Sequence, residues 1–301
     1  MKNPLRKNNK KNGKLFFYCV LFLFVLLIVG WNLINIGEYS TCTNDRNLGD
    51  CGCPADKNLI SKKNIIIVDV TDSIASGKLP DIKNLIESYA LKSVPLFDWL
   101  AGNKKIEMTS VYFLSDKIPA HMLPAGRFCR LPPEFALMAS ISNVKIKKLK
   151  SGIRQAIEES LKPLHNPAPA KESPIIESLS VLTANATAWT PGGDLILISD
   201  MLQNSAACVW FDGQNQIPKH SNLLQTCNVY KDKFKVNTQA TSLYKGNTNV
   251  AICHLPPIDG KQPKPGLMAF WHDFFQDVFE YDFISTCDPD EIRKRKLSLA
   301  K

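Results

Sequence analysis

The 301-residue chain contains no C-x-x-C pair, no glycine-rich phosphate loop and no G-x-S-x-G elbow. The first absence removes the usual zinc-ligand spacing and the dithiol of a redox enzyme, and Cys253-His254 is a single pair rather than a ligand set. The other two argue against a P-loop enzyme and a nucleophile-elbow hydrolase. Internal repeats and long low-complexity segments are also missing. Net charge is missing from the body of the protein. The overall +9 comes from two tails, because residues 15–290 carry 26 basic against 27 acidic side chains. A nucleic-acid-binding protein needs its basic charge over a folded face, so no nucleic-acid partner is expected. With 45% hydrophobic and 22% charged residues, wholesale disorder is excluded as well.

Charge is absent from one long run too. Residues 15–36, beginning LFFYCVLFLFVLLIVGW, hold no Asp, Glu, Lys, Arg or His, and 22 helical residues span about 33 Å, enough for a bilayer core. A cleaved signal peptide would have a shorter apolar core followed by a small-x-small site; here Trp31, Asn32 and Leu33 follow instead. The run therefore reads as an uncleaved single-pass anchor. The six Lys/Arg of residues 1–14 place that tail in the cytoplasm and residues 37–301 on the outer side. Of nine cysteines, Cys19 lies in the anchor and eight lie beyond it, an even number that reads as disulfides with the pairing open. Cys42, Cys51 and Cys53 crowd a polar stalk at 37–63, and Cys208 with Cys227 could close one polar loop.

Past the stalk, hydrophobic periods alternate. Residues 64–70 (NIIIVDV), 108–114 (MTSVYFL), 195–199 (LILIS) and 249–255 are continuous apolar runs of strand length, as in strands covered on both faces. Between them stand helical patterns: one opened by Pro80 with Ile82, Leu85, Ile86 and Tyr89, one on Ile153, Ala156, Ile157 and Leu161, and one after Ser173-Pro174. A last helix carries Leu267, Phe270, Trp271, Phe274, Val278 and Phe279, an aromatic stripe that reads as a core face. Residues 115–150 show no clear period beyond a helix starting near Pro133. Strands alternating with helices give an α/β domain with a mostly parallel sheet over 64–285, followed by a basic tail at 286–301.

In open α/β sheets ligands bind beyond the carboxyl ends of the strands. Asp69 lies near the end of the first strand, in Asp69-Val70-Thr71-Asp72-Ser73, and Asp200 directly follows LILIS; Ser173 stands at a helix start, where a cap belongs. Two carboxylates and three hydroxyls form a hard-oxygen set suited to Mg²⁺, Mn²⁺ or Ca²⁺. The histidines, His254 among them, are scattered and read as structural or exposed.

These residues resemble the metal-ion-dependent adhesion site of von Willebrand factor A (vWA) domains. Asp69, Thr71 and Ser73 match its D-x-[ST]-x-S element, Ser173-Pro174 its Thr before a helix, and Ile198-Ser199-Asp200 its strand-closing Asp. The resemblance covers residues 62–285 in order. It implies a Rossmann-like, doubly wound sheet flanked by helices, with a divalent metal at its top edge, Mg²⁺ foremost. It also implies direct metal contact by Thr71, Ser73 and Ser173, with Asp69 and Asp200 supplying charge and water-mediated contacts. An open coordination position would accept an acidic side chain from a partner protein. By analogy with single-span bacterial members, the setting is a cell envelope, with the domain periplasmic or extracellular. Met201 departs from the family, which usually has Gly after the final Asp.

Two other functions compete. A haloacid-dehalogenase-type phosphohydrolase would use Asp69 as nucleophile, but it needs a paired acid cluster, and Asp194 starts the strand that Asp200 ends. A structural subunit of an envelope assembly would need no metal.

Overall fold

The computed structural model describes residues 17–23, 25–26, 52–53, 58, 60–70, 76–93, 106–114, 123–131, 133, 143–165, 172–184, 193–202, 204–205, 208–209, 249–255, 266–279, 283–292 and 294. The apolar run at the head of the domain becomes strand β1 (Ile60–Asp69), and its alternation builds two cores at once. Ile65 and Ile67 face one side of the sheet, Ile66 and Val68 the other, and all four are essentially inaccessible to solvent. Burial on both faces explains why the run shows no polar alternation.

Strands β2 (Ile106–Leu114) and β4 (Asp194–Ser199) flank β1, both parallel to it. β3 (Gly126–Cys129) pairs antiparallel with β2 at one edge. β7 (Asn249–His254) and β8 (Phe283–Ser285) extend the other side in parallel, giving the order β3-β2-β1-β4-β7-β8. Two-residue strands β5 (Asn204–Ser205) and β6 (Cys208–Val209) form a separate ladder. The architecture is therefore α/β with a mixed, mostly parallel six-stranded sheet. Strand order reverses between β1 and β4, and the carboxyl ends at such a switch point are where open α/β sheets bind ligands.

Helices α1 (Leu79–Ala90) and α2 (Asn143–Leu161) cover one face. Ile82, Leu85, Ile86 and Tyr89 of α1 pack with Ile146, Leu149, Ile153 and Ile157 of α2 against Ile66, Val68 and Ile196. Pro80 sits in the first turn of α1, where its missing N–H costs no helical bond. Helices α3 (Ile175–Ala184) and α4 (Leu267–Phe279) cover the opposite face. In α4, Trp271 meets Phe270 and Phe274 edge-on, each at 5.3 Å between ring centres, and Phe274 meets Phe275 at 5.4 Å. Such pairs add about 0.5–1.5 kcal/mol each beyond their buried area.

At the amino edge of the sheet, buried Asp194 ties three elements together. Tyr89 Oη donates to its Oδ2 (3.0 Å), Lys62 Nζ lies 3.4 Å from its Oδ1, and its backbone N–H donates to Asn64 Oδ1 (2.9 Å). Asp194 thus serves the amino edge, at the opposite end of β4 from Asp200. Tyr89→Phe removes one hydrogen bond to a buried carboxylate and should lower unfolding free energy by about 1.5 kcal/mol in urea titration. No change would mean that Lys62 suffices.

The packed body extends past 64–285 at both ends. Cys53 is fully buried and bonded to Cys129 at the end of β3, so part of the expected stalk belongs to the domain. Gly52 beside it has φ +71°, and a Cβ there would stand 2.9 Å from Ile153 Cδ1, so glycine meets both a backbone and a packing demand. At the other end Cys253 is bonded to Cys287, Asn249 Nδ2 donates to the Ile292 carbonyl (2.7 Å), and Ile292 is fully buried. The expected basic tail is therefore docked as far as Ile292, while Lys294 is exposed. Cys208 lies in β6 and Pro133 is not helical; Cys227, the suggested partner of Cys208, and the rest of the expected helix near Pro133 lie outside the described residues. So does most of the expected anchor at 15–36; its described residues 17–23 and 25–26 are helical with exposed side chains. Among the described residues no helix is long and apolar enough to cross a membrane.

Candidate functional site

The carboxyl ends of β1 and β4 meet at the point where strand order reverses. Their register, Val68 beside Ile198, brings Asp69 next to Ser199. By alternation Asp69 follows Ile65 and Ile67, and Ser199 follows Leu195 and Leu197, so both stand on the face covered by α3 and α4. Ser173, just ahead of α3, reaches the same place. Its hydroxyl donates to Asp69 Oδ2 at 2.7 Å, and Ser199 Oγ donates to the same oxygen at 2.8 Å. The Ser173 proton is thus directed at the Asp69 carboxylate. Asp69, Ser173 and Ser199 are all buried.

Of the five site residues expected from sequence, Asp69 and Ser173 are in direct contact, and Asp200 follows at the next position after Ser199. Thr71 and Ser73 lie outside the described residues. Ser199 was missed as a site hydroxyl although its position was readable: it shares the β4 face of Leu195 and Leu197 and precedes the strand-closing Asp.

Asp200 begins a tightly held turn. Its Oδ1 accepts the Leu202 N–H at 2.9 Å, and the Met201 N–H donates to Ser199 Oγ at 2.8 Å. Met201 has φ +64°, the one non-glycine residue among those described in the left-handed region. A residue with a Cβ there costs roughly 1–2 kcal/mol, a cost that glycine would avoid. Here the Met side chain is fully buried against α3 and α4, and Trp271 Nε1 donates to its carbonyl at 2.9 Å.

His254, expected to be structural or exposed, stands at the end of β7 opposite Ser199 in the register. Its imidazole hydrogen-bonds the Asp200 backbone, while its Nε2 is buried with no hydrogen-bond partner among the described residues. Burial holds its pKa below the usual histidine range, and the bond to Asp200 acts in the opposite direction. The parallel register was needed to see this contact, because 54 positions separate His254 from Asp200 in sequence.

The donors gathered at this edge are carboxylate and hydroxyl oxygens, the chemistry that hard divalent cations prefer over softer transition metals. Two hydroxyls already directed at one buried carboxylate give a compact oxygen cluster that fits such an ion.

No protein-family model matches the chain, and no curated protein matches it. Among solved structures, the human COPII-coat protein Sec24c matches at 11% identity and TM-score 0.39, over 82% of this chain and 33% of its own. The pilus adhesin SpaC from Lactobacillus rhamnosus GG, in an open conformation, matches at 11% identity and TM-score 0.34, over 79% of this chain and 30% of its own. A D319A mutant of the PilB minor pilin from Streptococcus sanguinis matches at 11% identity and TM-score 0.36, over 79% of this chain and 61% of its own. The chain spans about a third of the first two proteins and under two thirds of the third.

Proposed function

We propose that this protein is a single-pass, N-in membrane protein whose extracytoplasmic vWA-like domain binds a partner protein through a divalent cation, Mg²⁺ foremost. The observation that carries this reading is the convergence of Ser173 and Ser199 on Asp69 Oδ2 at the carboxyl edge, where the strand order reverses. Thr71, Ser73 and Ser173 would hold the cation through hydroxyl oxygens, and Asp69 and Asp200 would supply the balancing charge. When bound, the cation supplies an electrophilic position for a carboxylate of the partner's acidic side chain. Asp69 is suited to orienting rather than attacking: it is 6% exposed and one oxygen already accepts two hydroxyl protons, which disfavours the phosphohydrolase reading. Cys53–Cys129 and Cys253–Cys287 support an oxidising compartment, and the six cations before residue 15 support the inward amino terminus. A bacterial cell envelope is the setting we favour.

The test is calorimetric titration of Mg²⁺, Mn²⁺ and Ca²⁺ into the chelator-stripped full chain in detergent, beside a Ser73→Ala, Asp200→Ala double variant. Saturable heat in the wild type alone is expected. Heat in neither protein would overturn the metal reading and leave a structural subunit as the better account.

A further inference from the structure

A buried indole N–H must find an acceptor somewhere. What distinguishes Trp271 is the acceptor it finds: the carbonyl of Met201, the one non-glycine residue among those described with positive φ. A strained backbone of this kind persists only where surrounding contacts over-determine it. Four contacts converge on this turn. The Met201 N–H is held by Ser199 Oγ, the Met201 carbonyl by Trp271, the Leu202 N–H by Asp200 Oδ1, and the Asp200 backbone by His254. Two of these groups, Trp271 and His254, come from elements remote in sequence, α4 and β7. Ser199 joins the turn directly to Asp69.

We propose that Trp271 and His254 are positioning residues for the candidate cation site, holding the Asp200–Met201 turn in the conformation that presents Asp200 and Ser199 beside Asp69. This inference rests on the metal-binding reading above. Neither residue touches the cation; each acts through a backbone group of the turn. Outer groups that orient metal ligands commonly change metal affinity by 10–100-fold.

The experiment is Mg²⁺ calorimetry on the full chain in detergent, with melting in chelator as the parallel readout. The variants are Trp271→Phe, His254→Leu, and Trp271→Phe combined with Met201→Gly. Trp271→Phe keeps an aromatic ring in the α4 cluster and removes the N–H together with part of the indole's buried volume, so the Met201→Gly rescue is the decisive comparison. It should weaken Mg²⁺ binding about 10-fold, with a melting shift in chelator too small to explain the loss. His254→Leu, at a half-buried position, should do the same and serves if Trp271→Phe does not fold. Glycine adopts the left-handed conformation without strain, so Met201→Gly should recover much of the affinity lost in Trp271→Phe; a merely structural role for the indole would give no such rescue. Wild-type binding with both single variants within twofold of it would overturn this inference alone. Absence of binding in the wild type would overturn the metal reading, and this inference with it.

Discussion

Replacing Cys53 and Cys129 together by alanine should lower the unfolding free energy by about 4 kcal/mol, from the entropy of opening a 76-residue link. That is a large share of the roughly 5–15 kcal/mol that stabilises an ordinary domain. The bond joins a segment ahead of β1 to the antiparallel edge strand, and both cysteines are fully buried. The matching change at Cys253 and Cys287 opens a 34-residue link and should cost less, by on the order of 0.7 kcal/mol. Guanidinium titrations of the two double variants measure both values. If the Cys53 variant matched wild type, the chain ahead of Ile60 would contribute nothing to the fold, against the burial seen there.

Mg²⁺ at a hundred times its dissociation constant should raise the unfolding free energy of the wild type by about 2.7 kcal/mol, and Asp69→Ala should abolish that gain. In chelator Asp69→Ala should itself cost about 1–3 kcal/mol, because the Ser173 and Ser199 hydroxyls lose their shared acceptor. The two effects separate the roles. A loss in chelator with both proteins indifferent to Mg²⁺ would make Asp69 purely architectural. A Mg²⁺ gain retained by Asp69→Ala would move the cation elsewhere and defeat the proposed site.

The central strands and their order along the chain could be read from sequence, because a strand buried on both faces leaves an uninterrupted apolar run. β1, β2, β4 and β7 all carry one. The edge strands were hidden for the complementary reason: four-residue β3 and three-residue β8 are too short to show a period. Helix α2 was read only from Ile153 onward, since lysines at 145, 147, 148 and 150 mask the spacing of Ile146 and Leu149, which are buried as well. At the site, Asp69, Ser173 and Asp200 each mark an element end and could be found locally. Trp271 and His254 could not. Their part depends on which backbone carbonyl lies opposite, a property of strand register and helix packing that no local pattern encodes.

The sheet also has a mechanical sense. The chain enters it at Ile60 on the amino edge, while the candidate site occupies the carboxyl edge of the same strand. Tension between that entry point and a load at the site would run lengthwise through β1, which is bonded along its length to β2 and over its carboxyl-terminal half, Ile65–Val68, to β4. Such a ladder is strained in shear, all its rungs loaded together, rather than peeled one rung at a time. The Cys53–Cys129 link would pass part of any pull from the amino-terminal side to β3, two strands away, so that β1 would not bear the whole force.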